Sequence, residues 1–173
     1  LMQGRILDEE IPVSEILNDL PTLSRLILID ERSGIELLPQ DVGVGMSQLI
    51  PVIVGALAST GIVAIEQPEL HIHPAWQVIL GDLFLSQAKE RDVIFLLETH
   101  SEHLLLRLMR RMRETYNQVL PPGASSATPD DVGVLFVEVN DGRTIIRDMP
   151  VNEAGELVKA WPRGFFEERL SEL

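Results

Sequence analysis

Glu66, Gln67 and His100 are the side chains whose types and spacing could do chemistry here. Glu66 and Gln67 follow an apolar run in Gly61-Ile-Val-Ala-Ile-Glu-Gln-Pro-Glu-Leu-His-Ile-His-Pro74. A carboxylate at such a strand end suits a hard cation such as Mg²⁺, which takes oxygen ligands. Gln67 can orient a water but cannot accept its proton, so hydrolysis at this position is slow unless Glu69 or Glu98 helps. His100 stands just past a second apolar run, in Glu98-Thr-His-Ser101. An imidazole there can donate to an anionic oxygen while its other nitrogen is fixed by a neighbour. Plainer readings stand beside these: Glu66 as a solvated strand-end acid, and His100 as filler in a turn where Thr99 and Ser101 cap a helix. His103, one turn into that helix, reads as structural. His71 and His73 form an i, i+2 pair, but no cysteine or third histidine at ligand spacing supports a zinc site. Asp41-Val-Gly-Val-Gly-Met-Ser-Gln48 is a run of small residues before a helix, where backbone N–H groups and the helix dipole can hold an anion.

The elements that must carry these groups follow from patterning. Ser14–Leu20 has the cap and spacing of a short helix stopped at Pro21. Leu26–Asp30 and Ile35–Leu38 read as two strands joined by a tight turn. The glycine-rich segment is predicted to be a turn feeding a helix from Gln48 to Ser59, with Pro51 near its first turn. Ile62–Glu66 is a strand whose continuous apolar run predicts burial on both faces of a parallel sheet. Pro74 opens a helix to Arg91 that buries Trp76, Ile79, Leu80, Leu83 and Phe84. Val93–Glu98 is the next strand. Ser101 then caps a helix to Tyr116, with Leu104, Leu105, Leu108, Met109 and Met112 inward and Arg107, Arg110, Arg111 and Arg113 outward. Gln118–Asp131, with Pro121-Pro-Gly-Ala-Ser-Ser126, is a loop and the expected site of greatest mobility. Val132–Val139 and Thr144–Asp148 flank Asn140-Asp-Gly142, a hairpin signal. Asn152 is expected to cap a short helix through Lys159. Strand–helix–strand–helix order in the middle predicts a largely parallel sheet flanked by helices.

Composition narrows the options. The 173 residues form one domain, or part of one, with 45% apolar residues and a net charge of −13. A broad phosphate-binding surface does not fit that charge, so any contact with nucleic acid would be local or supplied by other parts of an assembly. The chain has no cysteine, which excludes a disulfide framework and a thiolate metal site. No charged segment followed by an apolar one opens the chain, and the longest apolar stretch, Leu49–Ala58, is too short to span a bilayer. A soluble cytoplasmic protein without a membrane partner is expected. The opening Leu1-Met2-Gln3, with no organised element before it, suggests a cut within a longer protein.

The glycine segment, the following helix, Ile65-Glu-Gln-Pro-Glu69 and Glu98-Thr-His-Ser101, in this order, resemble the second half of an ATPase head of the ABC type. SMC-like and OLD-like bacterial ATPases of the AAA family carry the same pattern. The resemblance covers Ile35 to Arg111. It implies a partial P-loop NTPase fold of the α/β class, with a core over 41–131, an N-terminal helix and strands over 1–40, and a C-terminal hairpin, helix and aromatic tail over 132–173. It further implies ATP and Mg²⁺ as cofactors. Glu66 would be the Walker B acid that holds Mg²⁺ through water, Gln67 would stand where the base is expected, and His100 would be the switch histidine at the γ-phosphate. Gly43, Gly45, Ser47 and Gln48 would form a signature motif serving the nucleotide of an opposing head, although the order departs from Leu-Ser-Gly-Gly-Gln. Head-to-head dimerisation implies a homo-oligomer. The tail Trp161-Pro-Arg-Gly-Phe-Phe166 is similar to that of a bacterial group of such ATPases; its plain reading is an aromatic anchor.

A phosphate cradle needs Gly-x-x-x-x-Gly-Lys-Ser/Thr, and the two lysines, Lys89 and Lys159, follow no glycine loop. The implied partner is therefore a missing N-terminal ATPase half or a second subunit carrying Walker A. The resemblance suggests a role in nucleic-acid maintenance or phage defence. Two other classes stay open: a non-enzymatic dimerisation or scaffold module derived from an ATPase, favoured by Gln67, and a histidine-based metal enzyme. The expected outcome of calorimetry on this chain with Mg-ATP is weak binding or none; micromolar affinity would contradict the absence of a cradle.

Overall fold

The computed structural model describes residues 26–91 and 93–162. The chain divides into two units, Leu1–Pro39 and Gln40–Leu173. The expected helix over Ser14–Leu20 lies outside the described residues.

In the first unit, β1 (Leu28–Ile29) pairs antiparallel with β2 (Glu36–Leu37). The turn between them is held by Asp30, whose carboxylate accepts from the Arg32 N–H at 3.0 Å and the Ser33 hydroxyl at 2.6 Å. Those two bonds, the Ser33 hydroxyl first, keep the Asp30 carboxyl below its ordinary value.

The second unit runs α1 (Gly43–Ala58), β3 (Gly61–Glu66), α2 (Pro74–Arg91), β4 (Val93–Glu98), α3 (Glu102–Tyr116), β5 (Leu135–Asn140) and β6 (Arg143–Asp148). It is mixed α/β. The expected parallel sheet is present among the described residues as one pair, β3 beside β4. The antiparallel β5–β6 hairpin turns at Asp141 and Gly142, both at positive φ, as Asn-Asp-Gly favours.

Leu49 and Ala56 of α1, Ile72 of the loop before α2, Leu80 and Phe84 of α2, and Leu104 of α3 form one buried cluster, joined by the half-buried Ile65, Phe95 and Leu97. The strands therefore bury one face only. On the other, Ile62, Ile94 and Leu96 are 73%, 64% and 62% exposed. Burial on both faces, expected from the apolar run, is not seen among the described residues, whose helices pack against the side that carries Ile65 and Phe95. A second cluster joins Leu85, Met109, Met112, Ala127 and Val151.

Four further expectations are corrected. The helix before β3 begins at Gly43, five residues earlier than expected, so Pro51 lies inside it, where its ring nitrogen has no N–H to donate. On α2, Trp76 and Ile79 are exposed while Leu85 and Gly81 are buried. The buried arc is rotated toward Gly81, which packs on the Arg107 stem of α3 and has no room for a Cβ without that side chain giving way. Asn152 caps no helix; it closes a turn in which the Glu156 N–H donates to its side chain at 2.9 Å and Val151 bridges Leu157. Gly155, at φ 68, lies directly on the Met109 carbonyl, a backbone path that a helix cannot follow. Arg113 of α3 donates to the carbonyls of Ala154 and Gly155 from outside.

The fourth correction is Arg111, expected on the wet side but only 7% exposed. Its Nε and Nη2 donate to both carboxylate oxygens of Asp82 at 2.7 and 2.9 Å, and Nη1 donates to Glu114. The Asp82 hydrogen bonds raise the guanidinium pKa further. Burial alone pushes the Glu114 carboxyl up, but the hydrogen bonds from Arg110 and Arg111 outweigh it and hold it below its usual value. The Gln118–Asp131 loop is anchored from two sides. The Ala127 N–H donates to the Thr115 hydroxyl at 3.0 Å, and Lys89 reaches Asp131 at 3.1 Å. Trp161 packs edge-on to Phe136 at 5.6 Å; the rest of the aromatic tail lies outside the described residues. No helix among the described residues is long and apolar enough to cross a membrane.

Arg111→Ala leaves two carboxylates without their guanidinium. It is expected to cost about 2–4 kcal/mol, in the lower part of the range for a buried pair because Asp82 keeps solvent contact. A denaturant titration checks this as a lowered midpoint at unchanged slope.

Candidate functional site

The in-register pairing of β3 and β4 runs from Gly61↔Val93 to Glu66↔Glu98. Paired residues of neighbouring strands project to the same face, so both carboxylates stand together at one end of the pair. Both are on its solvent side. The pairing continues one step past the acids: the Gln67 N–H donates to the Glu98 carbonyl at 2.8 Å. Gln67 sits at φ 47 and His71 at φ 58. The loop between them is wound tightly, with the Leu70 N–H on the Gln67 carbonyl and the Ile72 N–H on the Glu69 carbonyl.

His100 lies two residues beyond β4, at the same end as Glu66. Its side chain is exposed, with Nε2 at 3.5 Å from a Glu98 oxygen. In an exposed setting that contact is worth little energy; it orients the ring rather than stabilising the fold. Ser101 caps α3 as expected, its hydroxyl accepting from the Leu104 N–H at 3.0 Å.

Glu69 is the residue that sequence reasoning placed wrongly. Considered as a helper base, it instead accepts the Thr99 hydroxyl and the His100 N–H, both at 2.7 Å. Both oxygens are thus engaged with the turn that carries His100. Gln77, on the first turn of α2, escaped notice. It accepts from the Ser101 hydroxyl at 2.7 Å and donates to the Ile72 carbonyl at 2.9 Å. The sequence signals, a polar residue just past a strand end for Glu69 and one on the first turn of a helix for Gln77, are too common to single out.

The structure places the candidate signature residues on the first turns of α1, not in a preceding turn as expected. Gly45 packs directly on the His71 carbonyl, so tightly that a Cβ would overlap it. That close tertiary contact is what brings glycines into a helix they otherwise weaken. The Ser47 hydroxyl donates back to the Gly43 carbonyl at 3.2 Å, while Gln48 is exposed. Val42, at the N-cap of α1, makes no side-chain cap hydrogen bond. His73 has a local role: its Nδ1 accepts the Ala75 N–H at 3.2 Å at the start of α2. Among the described residues no group of three or more His, Asp or Glu side chains could hold a metal ion on its own. Mg²⁺ asks for less, one or two carboxylates with water and phosphate oxygens completing its shell. The exposed Glu66, with Glu98 beside it, fits that donor set.

Residues 4–107 match the model of a family described as an AAA domain, with an AbiEii toxin of a Type IV TA system named in its description. The match covers more than half of the chain, and the chain belongs to this AAA domain family. Residues 128–173 match a second family, described as a protein of unknown function (DUF3696). No curated protein and no solved structure matches the chain. Membership places the protein in the ATPase-like class, for which nucleotide and Mg²⁺ are the general cofactors.

Gly45→Ala sets a methyl group against the His71 carbonyl. It is expected to destabilise the chain by about 1–3 kcal/mol and to shift the amide resonances of His71 and Ile72 more than those of the β5–β6 hairpin. Thermal melting together with amide NMR checks both.

Proposed function

We propose that this chain is the C-terminal part of an ABC-type ATPase, working at a site closed between two heads. One observation carries the reading: an acid-ended strand and a histidine-ended strand are adjacent, parallel and tied together at their tips by the Gln67–Glu98 backbone bond. In this reading Glu66 holds Mg²⁺ through water, and the metal supplies charge neutralisation at the phosphates. His100 donates to a terminal phosphate oxygen from an exposed ring that Glu98 orients. Gln67 positions the attacking water without taking its proton, which makes turnover slow. Gly43, Gly45, Ser47 and Gln48 offer the first turns of α1 to nucleotide on the opposing head. ATP is anchored by a Walker A segment from outside these 173 residues, so the partners are that segment and a second copy. The setting we infer is nucleic-acid maintenance or phage defence in a bacterium, with the protein in the cytoplasm; the AbiEii toxin named for the family is compatible with the second.

A second reading, a non-enzymatic dimerisation or scaffold module, is favoured by the uncovered apolar face at Ile62, Ile94 and Leu96. Phosphate release by the protein in which this chain is joined to a Gly-x-x-x-x-Gly-Lys-Ser/Thr segment separates the two. Under the ATPase reading, Glu66→Gln and His100→Ala each lower kcat on the order of 10²-fold, while Gln67→Glu raises it by supplying a base. Turnover indifferent to all three substitutions would leave the scaffold reading standing.

A further inference from the structure

Four side chains and two backbone carbonyls close a hydrogen-bonded circuit around the candidate site. The Glu69 carboxylate accepts from the Thr99 hydroxyl and the His100 N–H. The Thr99 oxygen in turn accepts the Ser101 N–H at 3.0 Å. The Ser101 hydroxyl, which caps α3, donates to Gln77, and Gln77 donates to the Ile72 carbonyl. The Ile72 N–H returns to the Glu69 carbonyl at 3.1 Å. The circuit joins the loop after Glu66 and the start of α2 to the turn before α3, 31 and 24 residues further along the sequence.

From this geometry we infer that Glu69 is the positioning residue for His100, with Gln77 bracing the far side of the same turn. The inference rests on the reading of His100 as a phosphate-contacting group. Its physical basis is that a carboxylate accepting a backbone N–H and a hydroxyl at 2.7 Å makes charge-assisted bonds, stronger than neutral ones. The His100 backbone has no other anchor at its N–H, and its exposed ring holds only the 3.5 Å contact to Glu98. Where the imidazole stands is therefore set from below, by a residue three positions past the cation-binding acid. A displacement of the Glu66–Glu69 segment is transmitted to His100 through two hydrogen bonds, so the two ends of the site move together. With each of its oxygens holding part of the turn, Glu69 acts through His100.

The test uses Glu69→Ala and Glu69→Gln. The glutamine keeps an oxygen for the His100 N–H and can donate to the Thr99 oxygen, so it retains the geometry without the charge. In this 173-residue chain, Glu69→Ala is expected to speed hydrogen exchange at the His100 amide by about tenfold or more, while the amides of β5–β6 exchange as before and Glu69→Gln restores most of the protection. In the Walker A-bearing protein, Glu69→Ala is expected to lower kcat at nearly unchanged KM, with rescue by Glu69→Gln. Unaltered exchange at His100 in Glu69→Ala would overturn the inference. So would a glutamine variant as impaired in turnover as the alanine one, since that would mark the charge rather than the placement as essential. If His100→Ala leaves turnover intact while the exchange result holds, the reading of the site fails and the bracing of the turn stands.

Discussion

The parallel register of two short strands is the constraint on which the site depends. A shift of one residue between β3 and β4 would send Glu66 and Glu98 to opposite faces. It would also remove the Gln67 N–H from the Glu98 carbonyl. Register is held from the covered side, where Ile65, Phe95 and Leu97 pack among Leu49, Leu80 and Phe84. Beyond the strand ends it is held again by Glu69 on the Thr99–His100 turn. The apolar core and the polar circuit thus specify the same alignment by independent means.

Helix α2 links those two kinds of restraint. Its first turn supplies Gln77 to the polar circuit, its middle supplies Leu80 and Phe84 to the core, and Asp82 accepts from Nε and Nη2 of Arg111. The Arg111 ion pair buries charge, which is costly unless the charge is well hydrogen-bonded. Here each of the three guanidinium nitrogens donates to Asp82 or Glu114, and the Asp82 bonds tie α3 to α2. The start of α3, and with it the turn that carries His100, is placed by both ends of this contact.

The uncovered sheet face and the paired carboxylates belong to the same problem. Parallel strands normally have both faces covered, and here one face carries Ile62, Ile94 and Leu96 into solvent next to Glu66 and Glu98. Apolar surface beside a charged strand end is the setting in which a further layer of structure would lower the local dielectric and strengthen charge interactions at the site. Membership of an AAA domain family and a chain without a Gly-x-x-x-x-Gly-Lys-Ser/Thr cradle are compatible with the proposed reading.

Local chemistry made much of this legible in the sequence. Pro74 and Arg91 bound α2 as expected, Ser101 caps α3, and Asn140-Asp-Gly142 turns the hairpin, because caps and tight turns are decided by residues within a few positions of one another. The strand-end acids and the histidine turn were visible for the same reason. What depended on distant partners was not. Arg111 reads as a surface arginine until Asp82, 29 residues away, is seen to face it. Gly45 reads as part of a turn until the His71 carbonyl is seen to need the space a side chain would fill. Glu69 reads as a spare acid until Thr99 and His100 are found on it. Sequence by itself determined which segments would be strands, helices and turns and which residues stood at their ends. Tertiary structure alone decided which face was covered and which polar groups met, since those energies depend on neighbours that the chain brings together only when it folds.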